Sequence, residues 1–217
     1  PVYEKGVWSR YTIGGNLFGT AFRKMTFALS AFYQGGAFRE GTDLDEYLFS
    51  ASALYALGRK VQAGPGIDIT SGNNGSDPAK KFQRFDPLYG TPHKFWGLMD
   101  YFYVADGFGA NGLVDYYLKA RYKPKDNFTV LADAHRFVLP SAVKASDGTV
   151  LEKALGTEID LVITYNITKM IALEAGYSTM FSTPTMASPK VKNVRNADDN
   201  LNWAYVMLTI KPELSVK

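Results

Sequence analysis

Asp133 and His135 are the pair of side chains in this sequence that most resembles acid–base machinery. They are separated by one residue, and in an extended strand that spacing places both side chains on the same face. A carboxylate and an imidazole can together move a proton. The sequence has only two histidines and no cysteine, however, and no nucleophile motif accompanies the pair. We therefore interpret Asp133 and His135 as residues of a polar surface and predict neither enzymatic activity nor a metal site.

Residues 107–112, Gly-Phe-Gly-Ala-Asn-Gly, match the glycine pattern of dinucleotide-binding loops. Such a loop needs a strand before it and a helix N-terminus after it. Here a segment with strand-like alternation follows instead. We therefore predict no bound cofactor.

The elements that must position the charged residues are strands. In residues 113–123 every second side chain is apolar, and the side chains between them include Asp115, Lys119, Arg121 and Lys123. A strand points successive side chains to opposite faces, so this segment has one apolar and one charged face. The same alternation predicts nine strands, at residues 5–17, 25–34, 46–57, 60–70, 113–123, 128–138, 154–165, 169–181 and 201–211.

Repeated alternation with aromatic residues near the ends of the apolar stripe is typical of a transmembrane β-barrel. The predicted fold is all-β, an antiparallel transmembrane β-barrel that forms a single domain over residues 1–217. The charged side chains would then line a lumen. The predicted pore-lining residues are Asp115, Lys119, Arg121, Lys123, Asp133, His135, Glu158, Asp160 and Glu174.

Two hypotheses remain open for Lys119 and Arg121. They could form a rung of positive charge that selects anions, as charged rings do in pores. Alternatively they pair with Asp133, Glu158 or Asp160 on neighbouring strands and keep the lumen polar. The two hypotheses are compatible, because paired charges still set a field across a pore.

The predicted connections alternate between short and long. Short turns near residues 20–23, 58–59, 124–127 and 166–168 alternate with longer connections at 35–45, 71–110, 141–153 and 182–200. Bacterial barrels have short periplasmic turns and longer extracellular loops. The first strand would then run from the outside towards the periplasm. A complete single-chain barrel has an even number of strands and both chain ends on the periplasmic side, so nine strands that begin outside do not make a complete barrel. We therefore expect an N-terminally incomplete chain, the C-terminal half of a larger barrel, unless a partner chain supplies the missing strands.

The composition agrees with this class of protein. Hydrophobic residues make up 46% and aromatic residues 14% of the chain, with a mean hydropathy of −0.15. Half of each barrel strand faces water, so such values are normal for outer-membrane barrels. No apolar run of the length that a membrane-spanning helix needs is present. A net charge of +3 is too small to indicate nucleic-acid binding.

A distinctive segment lies at residues 84–102, Arg-Phe-Asp-Pro-Leu-Tyr-Gly-Thr-Pro-His-Lys-Phe-Trp-Gly-Leu-Met-Asp-Tyr-Phe. It resembles the long loop of the alginate-export family of bacterial outer-membrane porins, which carry similar Phe-Asp-x-Leu-Tyr, Thr-x-His-Lys-Phe and Gly-x-x-Asp-x-Phe motifs. Residues 112–117 are similar to the family's next strand. The resemblance implies an 18-stranded monomeric barrel, of which nine strands are half. It also implies a charged lumen narrowed by inward-folded loops, and export of an anionic polysaccharide.

The long segment 71–110 is the candidate for such an inward-folded loop. Arg84, His93, Lys94 and Asp100 would then form a constriction. If the segment instead lies over the rim, these are ordinary surface residues. The neighbouring aromatic residues favour a packed loop, because exposed aromatic clusters are costly.

The leading hypothesis is a bacterial outer-membrane channel that passes a hydrophilic solute, with an anionic saccharide as the candidate. Its partners would be outer-membrane lipid and the solute. The acidic residues in the predicted lumen weigh against a polyanion, unless lysine and arginine neutralise them. The main alternative is a plugged barrel with a structural or partner-binding role. A barrel enzyme would need a Ser/His/Asp constellation, and a soluble β-sandwich or carbohydrate-binding module would pack its apolar faces against a second sheet.

Overall fold

The computed structural model describes residues 8–37, 42–73, 81–82, 84–87, 95–103, 111–195, 197 and 200–212. The elements in chain order are β1 (Arg10–Ala21), β2 (Met25–Ala37), β3 (Asp43–Ala56), β4 (Val61–Thr70), β5 (Lys81–Phe82), β6 (Leu113–Lys125), β7 (Phe128–Val138), β8 (Ala154–Asn166), β9 (Ile171–Ser182), α1 (Pro184–Ala187) and β10 (Asn200–Ile210). The nine long strands confirm the strand number that the alternation predicts. β5 is an additional two-residue strand.

The nine long strands form one antiparallel sheet in the order β1-β2-β3-β4-β6-β7-β8-β9-β10. β5 pairs with the start of β3 in the parallel direction. The sheet is open within the described part of the chain, because β1 and β10 are its two edges and do not pair with each other. Since every neighbouring pair is antiparallel, these two edge strands run in the same direction.

The sheet has two chemically different faces. Lys119 lies opposite Asp133, and Asp133 lies opposite Asp160, so these three residues share one face. We call it the charged face. Residues of the opposite parity, such as Leu29, Leu118 and Leu161, form the apolar face and are 38%, 56% and 41% exposed. The predicted alternation therefore holds across the sheet.

The connections at the two ends of the strands differ in length. Turns at residues 22–24, 57–60, 126–127 and 167–170 lie at one end, which we call the short-turn end. The connections over residues 38–42, 71–112, 139–153 and 183–199 lie at the other, the long-connection end. This agrees with the predicted alternation of short and long connections.

A hydrophobic core lies at the long-connection end, between the sheet and the described parts of the connections. Its largest members include Phe102, Phe137, Leu155, Met180 and Met186, all at most 1% exposed. The rings of Phe102 and Phe137 lie 4.6 Å apart between centroids, a distance typical of favourable aromatic pairs. Here one face of the sheet is covered by the chain's own connections.

Leu155 corrects one detail of the predicted alternation. Its position in the strand predicts a side chain on the apolar face, but it belongs to the buried core. The cause is a shift in the register between β7 and β8. Phe137 pairs with Gly156 and Val138 pairs with Ala154, so Leu155 has no residue opposite it on β7. A bulge of this kind re-aims the extra side chain.

Pro65 interrupts the pairing between β3 and β4. β3 and β4 have no paired residues between Ser52/Gly66 and Tyr55/Ala63, although the register is the same on both sides. Proline lacks the N–H that a ladder needs. The result is an interruption of the ladder and not a bulge.

Candidate functional site

The predicted pore-lining residues lie together on the charged face. β6 contributes Asp115, Lys119, Arg121 and Lys123, β7 contributes Asp133 and His135, β8 contributes Glu158 and Asp160, and β9 contributes Glu174. The strand register places all of them on that face, since His135 lies opposite Glu158 and Thr164 opposite Glu174. The period-two pattern alone was sufficient to group them.

A buried acidic group lies at the long-connection half of this face. His135 Nδ1 is 2.8 Å from an Asp115 carboxyl oxygen, and His135 Nε2 is 3.8 Å from Asp160. Asp115, Glu158 and Asp160 are at most 2% exposed, and each has a carboxyl oxygen that accepts no hydrogen bond within the described structure. Burial of such groups costs free energy, so this half of the face keeps its polar side chains at the expense of stability.

His135 is held by rings as well as by carboxyl groups. It stacks on Phe137 with 5.7 Å between centroids and 12° between planes, and it lies 5.5 Å from the ring of Tyr117. Both imidazole nitrogens therefore face acids while the ring faces are covered. The geometry suits a structural link between β6 and β8 and leaves little room for a substrate at the imidazole.

Lys119 is paired, as one of the two hypotheses predicts. Its amino group is 3.5 Å from Asp133 and 4.9 Å from the centroid of the Tyr117 ring. Its side chain remains 41% exposed, and such exposed ion pairs contribute little to stability. Farther along, Glu174 accepts hydrogen bonds from Tyr205 at 2.6 Å and from Thr164 at 3.1 Å.

Glu158 anchors the long connection between β4 and β6. One of its carboxyl oxygens accepts the backbone N–H groups of Leu98, at 2.6 Å, and Met99, at 2.9 Å. Gly97, with φ of +84°, precedes them, and a β-carbon there would collide with the Glu158 carboxyl group. Only glycine combines that backbone conformation with so close an approach. Burial raises the pKa of the nearby Tyr101 phenol, and Glu158 raises that pKa further.

A second anchor holds the same connection to β1 and β2. Arg10 forms a 3.0 Å ion pair with Asp86. Gln34, which is 1% exposed, donates to the Asp86 carbonyl at 2.7 Å and accepts from its N–H at 2.9 Å. The two anchors lie on distant strands, so described parts of this connection reach across the charged face.

Two of the four predicted constriction residues lie in the described part of the chain. Arg84 and Asp100 lie in described segments of the connection, each next to one of the anchors, and both make interactions. Asp100 has a φ of +57°. His93 and Lys94 lie outside the described residues.

A basic cavity opens at the short-turn end of the charged face. It has a volume of about 260 Å³ and is lined by Gly58, Arg59, Lys60, Gln62, Arg121 and Lys123. No carboxyl group lines it. The charged face is thus acidic and covered towards the long connections, and basic and open at the short turns.

Three further residues of the site, Arg10, Asp68 and Asp86, are not among the residues predicted from the sequence. Asp68 lies opposite Asp115 and accepts a 2.5 Å hydrogen bond from Ser50. Its parity in β4 would have placed it on the charged face. The contacts of Arg10 and Asp86 join residues 76 positions apart, and no local pattern reports such a contact.

Neither metal-binding groups nor membrane-spanning helices are found in the described residues. They contain no cluster of three or more histidine, cysteine, aspartate or glutamate side chains arranged to hold a metal ion. The helical segments among these residues are too short or too polar to span a membrane. No family model matches the sequence, and no curated protein matches it.

Proposed function

We propose that this chain is part of a bacterial outer-membrane β-barrel channel of the alginate-export type, which passes a hydrophilic solute through a charged lumen. The observation that carries the proposal is the inverted distribution of side chains. Val206, Ile13 and Leu17 are 74%, 68% and 60% exposed, whereas Glu46, Asp115 and Glu158 are fully buried. In water this distribution is unfavourable, because apolar side chains stabilise a fold only when they are removed from the solvent. In a bilayer the apolar face has its matching environment.

The arrangement of the apolar face supports a bilayer over a partner sheet. Near the long-connection end it carries Tyr33 opposite Tyr47, and near the short-turn end it carries Tyr55 and the pair Phe128–Tyr165. Between these two levels the apolar face carries Leu29, Ala51 and Ile67, which lie opposite one another on three neighbouring strands. Tyrosine suits the two interfaces of a membrane, since its ring has one apolar and one polar end.

The strand lengths suit the same environment. The nine long strands contain 10 to 14 residues, and a tilted transmembrane strand needs about 9–11. Short turns at one end and long connections at the other are typical of bacterial barrels, in which the short turns face the periplasm. The short-turn end would then be the periplasmic mouth.

The distribution of charge on the charged face indicates which charge the solute would carry. The basic cavity at the short-turn end favours an anion arriving from that side. The buried acidic group does not oppose it directly, because the core and the long connection cover those carboxyl groups. An anionic saccharide is therefore the candidate solute.

A specific observation also favours the second candidate function, a plugged barrel with a structural or partner-binding role. The connection from β4 to β6 is anchored on both β2 and β8, and a buried core fills the space beneath it. A connection held at two points and packed below could close a pore.

Conductance of the full-length protein in a planar bilayer tests the proposal. A stable open pore that prefers anions is the expected result. A protein that inserts into liposomes, as shown by co-flotation, but passes no current would transfer support to the plugged barrel. A protein that stays soluble and monomeric without detergent would overturn both membrane hypotheses.

A further inference from the structure

The basic cavity at the short-turn end is built from the neighbouring strands β4 and β6 and from the turn that precedes β4. Arg59 and Lys60 come from the turn before β4, Gln62 from β4, and Arg121 and Lys123 from β6. Gln62 lies directly opposite Arg121 in the ladder. The walls of the cavity are therefore fixed by the sheet and not by a long connection.

Lys60 and Lys123 form an unfavourable pair. The backbone N–H of Lys123 donates to the Lys60 carbonyl at 2.8 Å, one position beyond the pair Val61–Tyr122. The two lysines thus lie opposite each other. Like charges in directly opposite positions of a sheet are destabilising, and here Arg59 and Arg121 add two more positive charges.

Nearby carboxyl groups compensate this charge only weakly. The amino group of Lys123 is 3.7 Å from Asp126, but both side chains are well exposed, and exposed pairs of this kind contribute little. The neighbouring turns are basic as well, with Arg23, Lys24 and Lys169 at the same end of the strands. The positive potential of the cavity is therefore available to a ligand.

We propose that this cavity binds a soluble oxyanion that carries two or more negative charges, of the phosphate class. Each guanidinium group presents a planar fork of donors that fits such an anion. The Gln62 amide adds a neutral donor. The ligand lies between Lys60 and Lys123 and removes their repulsion. A volume of about 260 Å³ is several times the ~30 Å³ share of one water molecule and leaves room for a small group esterified to the phosphate.

The position of the cavity favours a solute over a lipid headgroup. Gln62, Arg121 and Lys123 belong to the charged face, opposite the face that carries the exposed aliphatic residues. A lipid that packs its chains on the apolar face cannot also place its headgroup on the charged face. That the cavity lies at the mouth of a pore rests on the proposed function. That the cavity binds an oxyanion does not depend on that function.

Calorimetric titration of the full-length protein in a nonionic detergent tests the site. Inorganic phosphate, glucose 6-phosphate and the monoanion glucuronate are compared in chloride buffer at constant ionic strength. We expect saturable binding of one phosphate or phosphate ester per chain and weaker binding of glucuronate. The double variant R121Q/K123Q should weaken phosphate binding about tenfold or more, the effect of losing charge-assisted hydrogen bonds.

The matched control is the double variant R136Q/K144Q. Arg136 bonds to Thr157 on the other face, and Lys144 is an exposed residue of the connection over residues 139–153, so the control removes the same charge without touching the cavity. Equal phosphate affinity in the two double variants overturns the proposal. So does equal affinity for phosphate and glucuronate, or displacement of phosphate by phosphatidylglycerol in mixed micelles. Because the titration needs no membrane, a failure to conduct in the bilayer experiment leaves its result unchanged.

Discussion

The carboxyl group of Glu158 and the backbone N–H of Leu98 form a 2.6 Å hydrogen bond between the sheet and the long connection above it. The same oxygen also accepts from Met99, so a single side chain of β8 satisfies two consecutive donors of an irregular segment. Buried backbone donors need such partners. This contact fixes where the connection lies.

The first prediction concerns Gly97. Substitution G97A forces a β-carbon into the Glu158 carboxyl group at a positive φ, so we expect both backbone hydrogen bonds to Glu158 to be lost. G148A is the matched control, since Gly148 has a φ of +87° and nothing within 4 Å of an added β-carbon. The control should lose about 1–2 kcal/mol from its left-handed backbone alone, and G97A a further ~1.5–3 kcal/mol. The free energies of unfolding in detergent measure the difference, and equal losses would contradict the anchor.

The second prediction tests whether Glu158 holds the long connection through its acceptor oxygen or through its negative charge. E158A leaves the N–H groups of Leu98 and Met99 without an acceptor, so we expect faster chymotrypsin cleavage at the aromatic residues of segment 95–103. E158Q keeps an acceptor oxygen in the same place and should remain close to the wild-type cleavage rate. If E158A is cleaved no faster than E158Q, then another contact holds the segment.

The third prediction tests the membrane environment of the apolar face. Leu29 and Ala28 are adjacent and exposed in β2 but lie on opposite faces. L29R should lower the stability of the protein in phospholipid vesicles by about 2–4 kcal/mol, the cost of arginine near the bilayer centre. A28R, on the charged face, should cost much less. Similar stabilities for the two variants would mean that Leu29 faces water.

The fourth prediction concerns the core under the long connection. Phe102 is 1% exposed and packs on Phe137, so F102A should destabilise the protein by about 3–5 kcal/mol. Phe22, in the first short turn, is 88% exposed, and F22A should stay within ~0.5 kcal/mol of wild type. Chemical unfolding in detergent compares them. A small effect of F102A would show that the connection contributes little to the fold.

Much of the sheet could be predicted from the sequence because strand alternation is local. Each side chain's face follows from its parity, which is why Asp115, Asp133 and Asp160 were grouped correctly although they lie on three strands. Leu155 escaped the same rule, because the bulge that turns it inward depends on how two strands meet. Gly97 can be noticed in the sequence because it is a glycine between two large residues, Trp96 and Leu98. Its role depends on Glu158, 61 positions away, and a single sequence does not report such pairings.

The shared direction of β1 and β10 restricts how this sheet can be completed. Two identical copies placed edge to edge around a common axis would bring β10 of one beside β1 of the other, running the same way, so their contact would be parallel. An all-antiparallel ring therefore cannot be assembled from two copies that are related by rotation about that axis. It takes an odd number of additional strands, and the first and last of these must both run opposite to β1.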